Sequence, residues 1–210
     1  MKRYSWVLLV ITAFVSLSAC AEKGPVLLEG VKYQAPEGTQ TGASKVTVGV
    51  SAFKDERGKI TSVLGKRTLS NSVENDLVVQ GTVADLVAGS MKEALTARGI
   101  AVKDLPAGDL GELAGRTEGT DIVIGGEIKT LWVNVSSQPL NVKMTAEVQL
   151  RVSAADKAEK KIFRTLVLNS KVERQDISFS FDAAAGALSE ALSSAIDQLL
   201  KDDEFKKKIH

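Results

Sequence analysis

From Asn141 to Ala154 the chain alternates apolar and polar side chains without a break. Val142, Met144, Ala146, Val148, Leu150 and Val152 hold one parity, and Lys143, Thr145, Glu147, Gln149 and Arg151 the other. A period of two places these sets on opposite faces of a pleated strand. Wound as a helix, the same pattern would scatter apolar groups around the whole circumference. Asp121 to Ser136, just upstream, is also strand-rich. Downstream, Ile162 to Asp176 carries Ile162, Leu166, Leu168 and Val172 on one side, and Ala155 to Glu159 has the composition of a hairpin turn. Three long strands in a row, each with one wet face, predict an antiparallel three-strand meander.

The dry face of such a sheet needs a cover. Ala184, Ala187, Leu188, Ala191, Leu192, Ala195, Ile196 and Leu199 recur at helical spacing, with Asp182 as the expected N-cap. A second helix is predicted after Thr82, with Val83, Leu86, Val87, Met91, Ala94 and Leu95 on one stripe and Arg98-Gly99 as its stop. The fold class expected is α+β: an antiparallel sheet including the long meander, with two main helices packed on one face. Shorter strands are predicted at Val46–Ala52, Leu77–Gln80 and Ile100–Leu105, and a brief helix at Asp109–Arg116. Lys54 to Asn71 reads as a long polar loop. Lys201 to His210 reads as a solvated charged tail or a short further helix.

The amino terminus has a different grammar. Lys2 and Arg3 precede an apolar run from Trp6 to Leu17. That run is too short for a spanning helix, which needs roughly 20 apolar residues, but suits a signal core of about 7–15. The run closes on Leu17-Ser18-Ala19-Cys20, which resembles the bacterial lipobox. The resemblance implies diacylglyceryl transfer to the Cys20 thiol and cleavage before it; the alternative is an ordinary secretory peptide with an unmodified cysteine at the junction. Several acyl chains on one residue suffice for stable anchoring. Ala21, where the same sorting logic reads aspartate as retention in the inner membrane, points to the outer membrane. The expected organisation is therefore a lipoprotein signal peptide over residues 1–19, a lipidated N-terminus and flexible tether over 20–44, and a single α+β periplasmic domain over 45–210. Gly24, Pro25, Gly30, Pro36, Gly38 and Gly42 interrupt any period in the tether, although Val26, Leu27, Leu28 and Val31 are able to pack.

Charge and composition narrow the chemistry. Losing Lys2 and Arg3 with the leader takes the 27 basic residues to 25, against 26 acidic ones, which gives no reason to expect a nucleic-acid partner. The one cysteine is committed to lipid, so no disulfide forms within the chain and no thiolate is left for metal or catalysis. The one histidine is the terminal His210, so serines such as Ser178, Ser180 and Ser189 lack an imidazole base. Gly58 and Gly65-Lys66 are wrongly spaced for a phosphate loop, and Arg67 stands where its hydroxyl belongs. No metal or cofactor is expected, and the protein is expected not to be an enzyme.

A Val-rich first strand leading to Asp55-x-Arg57, a downstream Gly65, and a helix ending Leu95-Thr96-Ala97-Arg98-Gly99 behind a lipobox resemble the YajG-like bacterial lipoproteins. The predicted meander and the Ala/Leu-rich last helix fit that plan. The layout is also similar to the amino-terminal domain of TolB and to transport-auxiliary lipoproteins. The resemblance implies an envelope lipoprotein and supplies no catalytic residues.

Binding is what remains. The basic loop containing Lys54, Arg57, Lys59, Lys66 and Arg67 suits an acidic glycan, a phospholipid headgroup or a partner protein, or is simply solvated. Asp55-x-Arg57 is also a common salt-bridge and turn device. Leu131 beside Trp132 gives both sheet faces a large apolar group unless the strand bulges there. Ile177, Phe179 and Phe181 alternate just before the last helix and either line the core or form an exposed apolar site. The candidate partner-binding residues are thus Arg57, Lys66, Arg67 and Trp132, and the lipid attachment point is Cys20. The expected partners are the membrane, through that lipid, and an envelope protein or glycan. Two rivals stand beside this reading: an auxiliary lipoprotein of a lipid or solute transport system, and a cell-wall enzyme using carboxylates such as Asp55, Glu56 or Asp121.

Overall fold

The computed structural model describes residues 24–209 except 39–41, 43, 71 and 73. The leader, Cys20, Ala21 and His210 lie outside the described residues. The strands are β1 (Val26–Leu27), β2 (Thr47–Ser51), β3 (Lys54–Asp55), β4 (Val63–Leu69), β5 (Glu74–Val78), β6 (Ala101–Leu105), β7 (Ile122–Gln138), β8 (Asn141–Asp156) and β9 (Lys161–Asp176). The helices are α1 (Val83–Thr96), α2 (Leu110–Arg116), α3 (Phe181–Lys201) and α4 (Asp203–Ile209).

The long strand β7 organises the molecule. Along one edge it pairs antiparallel with β8, which pairs antiparallel with β9. Along its other edge it takes three parallel partners in turn: β2 beside its start, β3 beside its middle and β4 beside its end. β6 extends the sheet beyond β2; β5 and then β1 extend it beyond β4. The expected antiparallel sheet is therefore corrected to a mixed one. Alternation tells which face a residue takes but not which way the neighbouring strand runs. Two crossovers make the parallel pairs: the connection from β2 to β6 carries α1, and that from β6 to β7 carries α2.

α1 and α3 share one core with Val48, Val50, Ile122, Ile124, Leu131 and the inward residues of β8. α2 lies on the opposite face, where Ala114 packs with Val123 and Ala155. β2 is buried on both faces because Val48 and Val50 enter the main core while Leu105 and Thr120 close over Gly49 on the other side. Thr82 caps α1 as expected. The N-cap of α3 is Ser180, not Asp182: the Ser180 hydroxyl accepts from the Ala183 N–H, while Asp182 sits in the first turn, where a negative charge suits the helix dipole.

Two further expectations are revised, and of the two readings of the carboxyl end the structure has the helix. Val63–Leu69 is a strand rather than loop; a bulge at Leu64 breaks its alternation and hid it. The charged carboxyl end folds as α4, which buries Phe205 and Ile209. The stretch read as tether is laid onto the domain from Gly24. β1 pairs with β5, and Leu28, Val31 and Tyr33 are buried. Lys32 and Gln34 donate their N–H groups to Ser189 and Ser193 on α3, and Tyr33 donates its N–H to Glu93 on α1. The Tyr33 hydroxyl donates to Asp197 at 2.7 Å and accepts from Arg98, which also donates to Asp197 at 2.8 Å. Burial raises the Tyr33 pKa further above neutrality, so the hydroxyl keeps the proton it donates to Asp197.

Candidate functional site

Between its pairings with β3 and β4, β7 runs without a strand on that edge: β3 reaches Ile128, and β4 begins opposite Val133. Within this gap Lys129 is an extra residue relative to β8. The bulge switches parity along β7. Ile122, Ile124 and Ile128 point into the core before it, and Leu131, Val133 and Val135 after it. Leu131 is therefore buried and Trp132 faces outward, which resolves their adjacency in sequence.

Arg57 occupies the place of the missing strand. Its Nη1 donates to the carbonyls of Val63 (2.7 Å) and Leu131 (3.1 Å). Its Nε and Nη2 form a fork on the two Asp55 carboxylate oxygens, each at 2.8 Å. The two side chains are 3% and 10% exposed. The hydrogen bond from Arg57 outweighs burial and holds the Asp55 carboxyl below its ordinary pKa. Gly65 is the close approach beside this clamp, where a Cβ would overlap the Val133 carbonyl.

Above the clamp opens a groove of about 390 Å³ whose lining includes Arg57, Lys59, Lys66, Lys129 and Trp132. The Lys59 ammonium stands 5.4 Å from the centre of the Trp132 ring, and Trp132 Nε1 donates to Asn134 Oδ1 at 2.9 Å. Lys66 pairs with Glu74 at 2.8 Å. Lys129 pairs with Glu127 at 2.8 Å and with Glu56, which also meets Lys54 at 2.7 Å. Hydrogen bonds from Lys129 first and Lys54 second pull the Glu56 carboxyl down to about 2. The groove is thus lined with compensated charge. What it offers a ligand is the half-buried indole of Trp132 with a lysine over it.

The structure brings together Arg57, Lys66 and Trp132. It separates Arg67, which alternation sends to the other face of β4. There the guanidinium lies 3.8 Å from the Phe179 ring centre and donates to Ser137 Oγ, and burial lowers its pKa. Lys129 was not singled out from sequence, although the change of parity between Ile128 and Leu131 was a visible sign of the bulge that places it. Asp121, considered above as a catalytic carboxylate, accepts the Thr47 N–H at 2.8 Å. A second groove, of about 600 Å³, lies at the end of β2 and includes Ser51, Asp109, Glu127 and Arg151 in its lining.

No family model matches the chain, and no curated protein matches it. Among solved structures, a DUF330 protein from Xanthomonas campestris aligns with a TM-score of 0.52 at 14% identity, over 84% of this chain and 91% of that one. A lipoprotein from Neisseria meningitidis aligns at 0.39 with 15% identity, over 75% and 99%. A Helicobacter pylori homolog of a neuraminyllactose-binding hemagglutinin aligns at 0.43 with 11% identity, over 83% and 95%. At such identity the likeness to the Xanthomonas protein is one of fold.

Proposed function

We propose that this protein is a lipid-anchored component of a bacterial envelope, sorted to the outer membrane, and that it acts by binding rather than by catalysis. Its place among the YajG-like lipoproteins belongs to the same reading. The observation that carries the binding role is convergence. Three residues from separate segments, Arg57, Lys66 and Trp132, line one open groove at a strand gap, over a clamp that fixes its walls. An indole face beside an ammonium suits a sugar ring or a partner's planar side chain, so the ligand is an envelope glycan or protein. The leader and the Leu17-Ser18-Ala19-Cys20 tetrad support the anchor. Against a lipid-carrying transport role stands the core between sheet and helices, where Met91, Leu95, Leu188, Leu192 and Ile196 are all buried.

In-cell photocrosslinking from position 130, beside Trp132, followed by mass spectrometry is expected to capture one dominant envelope partner. Trp132→Ala should weaken that binding by about 2 kcal/mol, near 30-fold, as loss of an aromatic anchor does. Lys66→Ala, which breaks an exposed ion pair, should leave the urea midpoint nearly unchanged. Capture unchanged by Trp132→Ala would move the binding surface elsewhere. Cys20→Ala should abolish processing and release the protein from the outer-membrane fraction; retention there would remove the anchor.

A further inference from the structure

The strap also fixes how far the domain stands from its membrane. The chain leaves the described fold at Gly24, whose carbonyl accepts from Asn75 Nδ2. From Val26 onward it is held by its pairing with β5, by the Leu28 N–H on the Val78 carbonyl (2.7 Å) and by the Tyr33 cluster. Cys20 and Gly24 are separated by four residue steps, at most about 14 Å of extended chain. A headgroup layer takes about 5–7 Å of that. Whichever end of the domain carries Gly24 must then lie against the bilayer.

Register identifies that end. Val26 stands opposite Leu77, and Asn75 opposite Arg67, which in turn stands opposite Val135. Gly24 therefore leaves where β4 and β7 finish and β8 begins. Two aliphatic side chains project past this same end. Leu140, in the turn between β7 and β8, is 85% exposed; Ile177, directly after Asp176 and so beside the start of β8, is 84% exposed. These are the two most exposed large apolar side chains among the described residues. Nearby, Lys143 pairs with Glu173 and Arg174 with Glu190, while Asp176, directly before Ile177, is exposed, so the end carries no basic patch and its two aliphatic side chains are what it offers a bilayer.

We infer that this end is a membrane-contact surface, with Leu140 and Ile177 entering the interfacial layer of the bilayer that receives the acyl chains. The inference rests on lipidation of Cys20. It gives the binding groove a direction, because Trp132 lies three residues up β7 from Val135, the level at which Gly24 leaves, about 10 Å farther from the lipid. The domain is held upright with its groove clear of the headgroups.

The test uses the lipidated full chain in phosphatidylethanolamine and phosphatidylglycerol vesicles. Lipidation blocks Cys20, so a cysteine introduced by Leu140→Cys or Ile177→Cys is the sole free thiol for an environment-sensitive fluorophore. Ile60→Cys, midway, and Ile162→Cys, at the far end, serve as exposed controls (70% and 47%). A lipid-borne quencher should act on positions 140 and 177 several-fold more strongly than on 60 and 162, and aqueous iodide should show the reverse order. Equal lipid quenching at all four positions overturns the inference. So does protection at 140 and 177 that disappears when protein density on the vesicle is lowered, which would assign the patch to a second copy of the chain. A free Cys20 thiol in the unsubstituted protein would identify the anchor itself as the failure, and the membrane face would fall with it.

Discussion

Arg57→Ala is expected to lower the unfolding free energy by about 3–5 kcal/mol in urea denaturation, although the residue sits in what the sequence presents as a polar loop. The substitution leaves the Asp55 carboxylate buried without its partner and takes the donor from the Leu131 and Val63 carbonyls at the gap in β7. Lysine should not restore the loss, because one ammonium cannot fork onto a carboxylate and also reach two carbonyls. Removing both members, Asp55→Ala with Arg57→Ala, should cost less than the sum of the single changes, since no charge is then stranded. The pH dependence has a defined sign. Asp55 has a folded pKa below its ordinary 3.8, so its contribution is complete above that value and is lost as pH falls through the depressed one. Acid sensitivity in this window should be smaller after Asp55→Ala than in the wild-type protein; the other depressed carboxylates, Glu56 and Asp156 among them, keep the remainder. Trp132→Ala should leave the urea midpoint nearly unchanged, which separates loss of binding from loss of fold. A cost below about 1 kcal/mol for Arg57→Ala would mean that the clamp does not hold the groove.

Phe205→Ala should produce a loss of similar size, about 3–5 kcal/mol, seen as a fall in Tm of about 10 °C. α4 spans seven residues, too few for a stable isolated helix. It persists because Phe205 and Ile209 enter the main core. Its ends are also pinned. Asp202 accepts the Phe205 N–H at 3.0 Å and pairs with Arg164, while Lys208 reaches Asp156 at 2.6 Å and Glu159 at 2.9 Å. Those contacts push the Lys208 pKa up to about 12, so the lysine stays charged across the neutral range. Neutralising the surrounding lysines, Lys206 and Lys207, should have little effect by comparison. A fall in Tm of only a degree or two on Phe205→Ala would favour the solvated tail, the other of the two readings its sequence allows.

The gap in β7 explains why the candidate residues were nameable one by one but not as a site. Arg57, Lys66 and Trp132 draw notice from sequence through side-chain type and a long polar stretch. Their meeting depends on the β3 pairing ending with Asp55 opposite Ile128 and the β4 pairing starting with Gly65 opposite Val133, which join segments far apart in the chain. Arg67 shows the converse. Its neighbour Lys66 lies in the groove, and one step along a strand reverses the face. The bulge at Leu64 masked that strand.

What the sequence determined by itself was local and periodic: the alternation of Asn141–Ala154, the α3 stripe and the Thr82 cap. Each follows from steric rules acting within a few residues, so one segment suffices to state it. Tertiary structure alone decided the parallel pairings of β2, β3 and β4 with β7, the closing of the strap over α1 and α3, and the docking of α4. Those choices depend on which distant surface a segment meets. A stretch such as Val26–Gln34 reads as tether, and Asp203–Ile209 stays open between tail and short helix, until the core that buries their apolar groups exists.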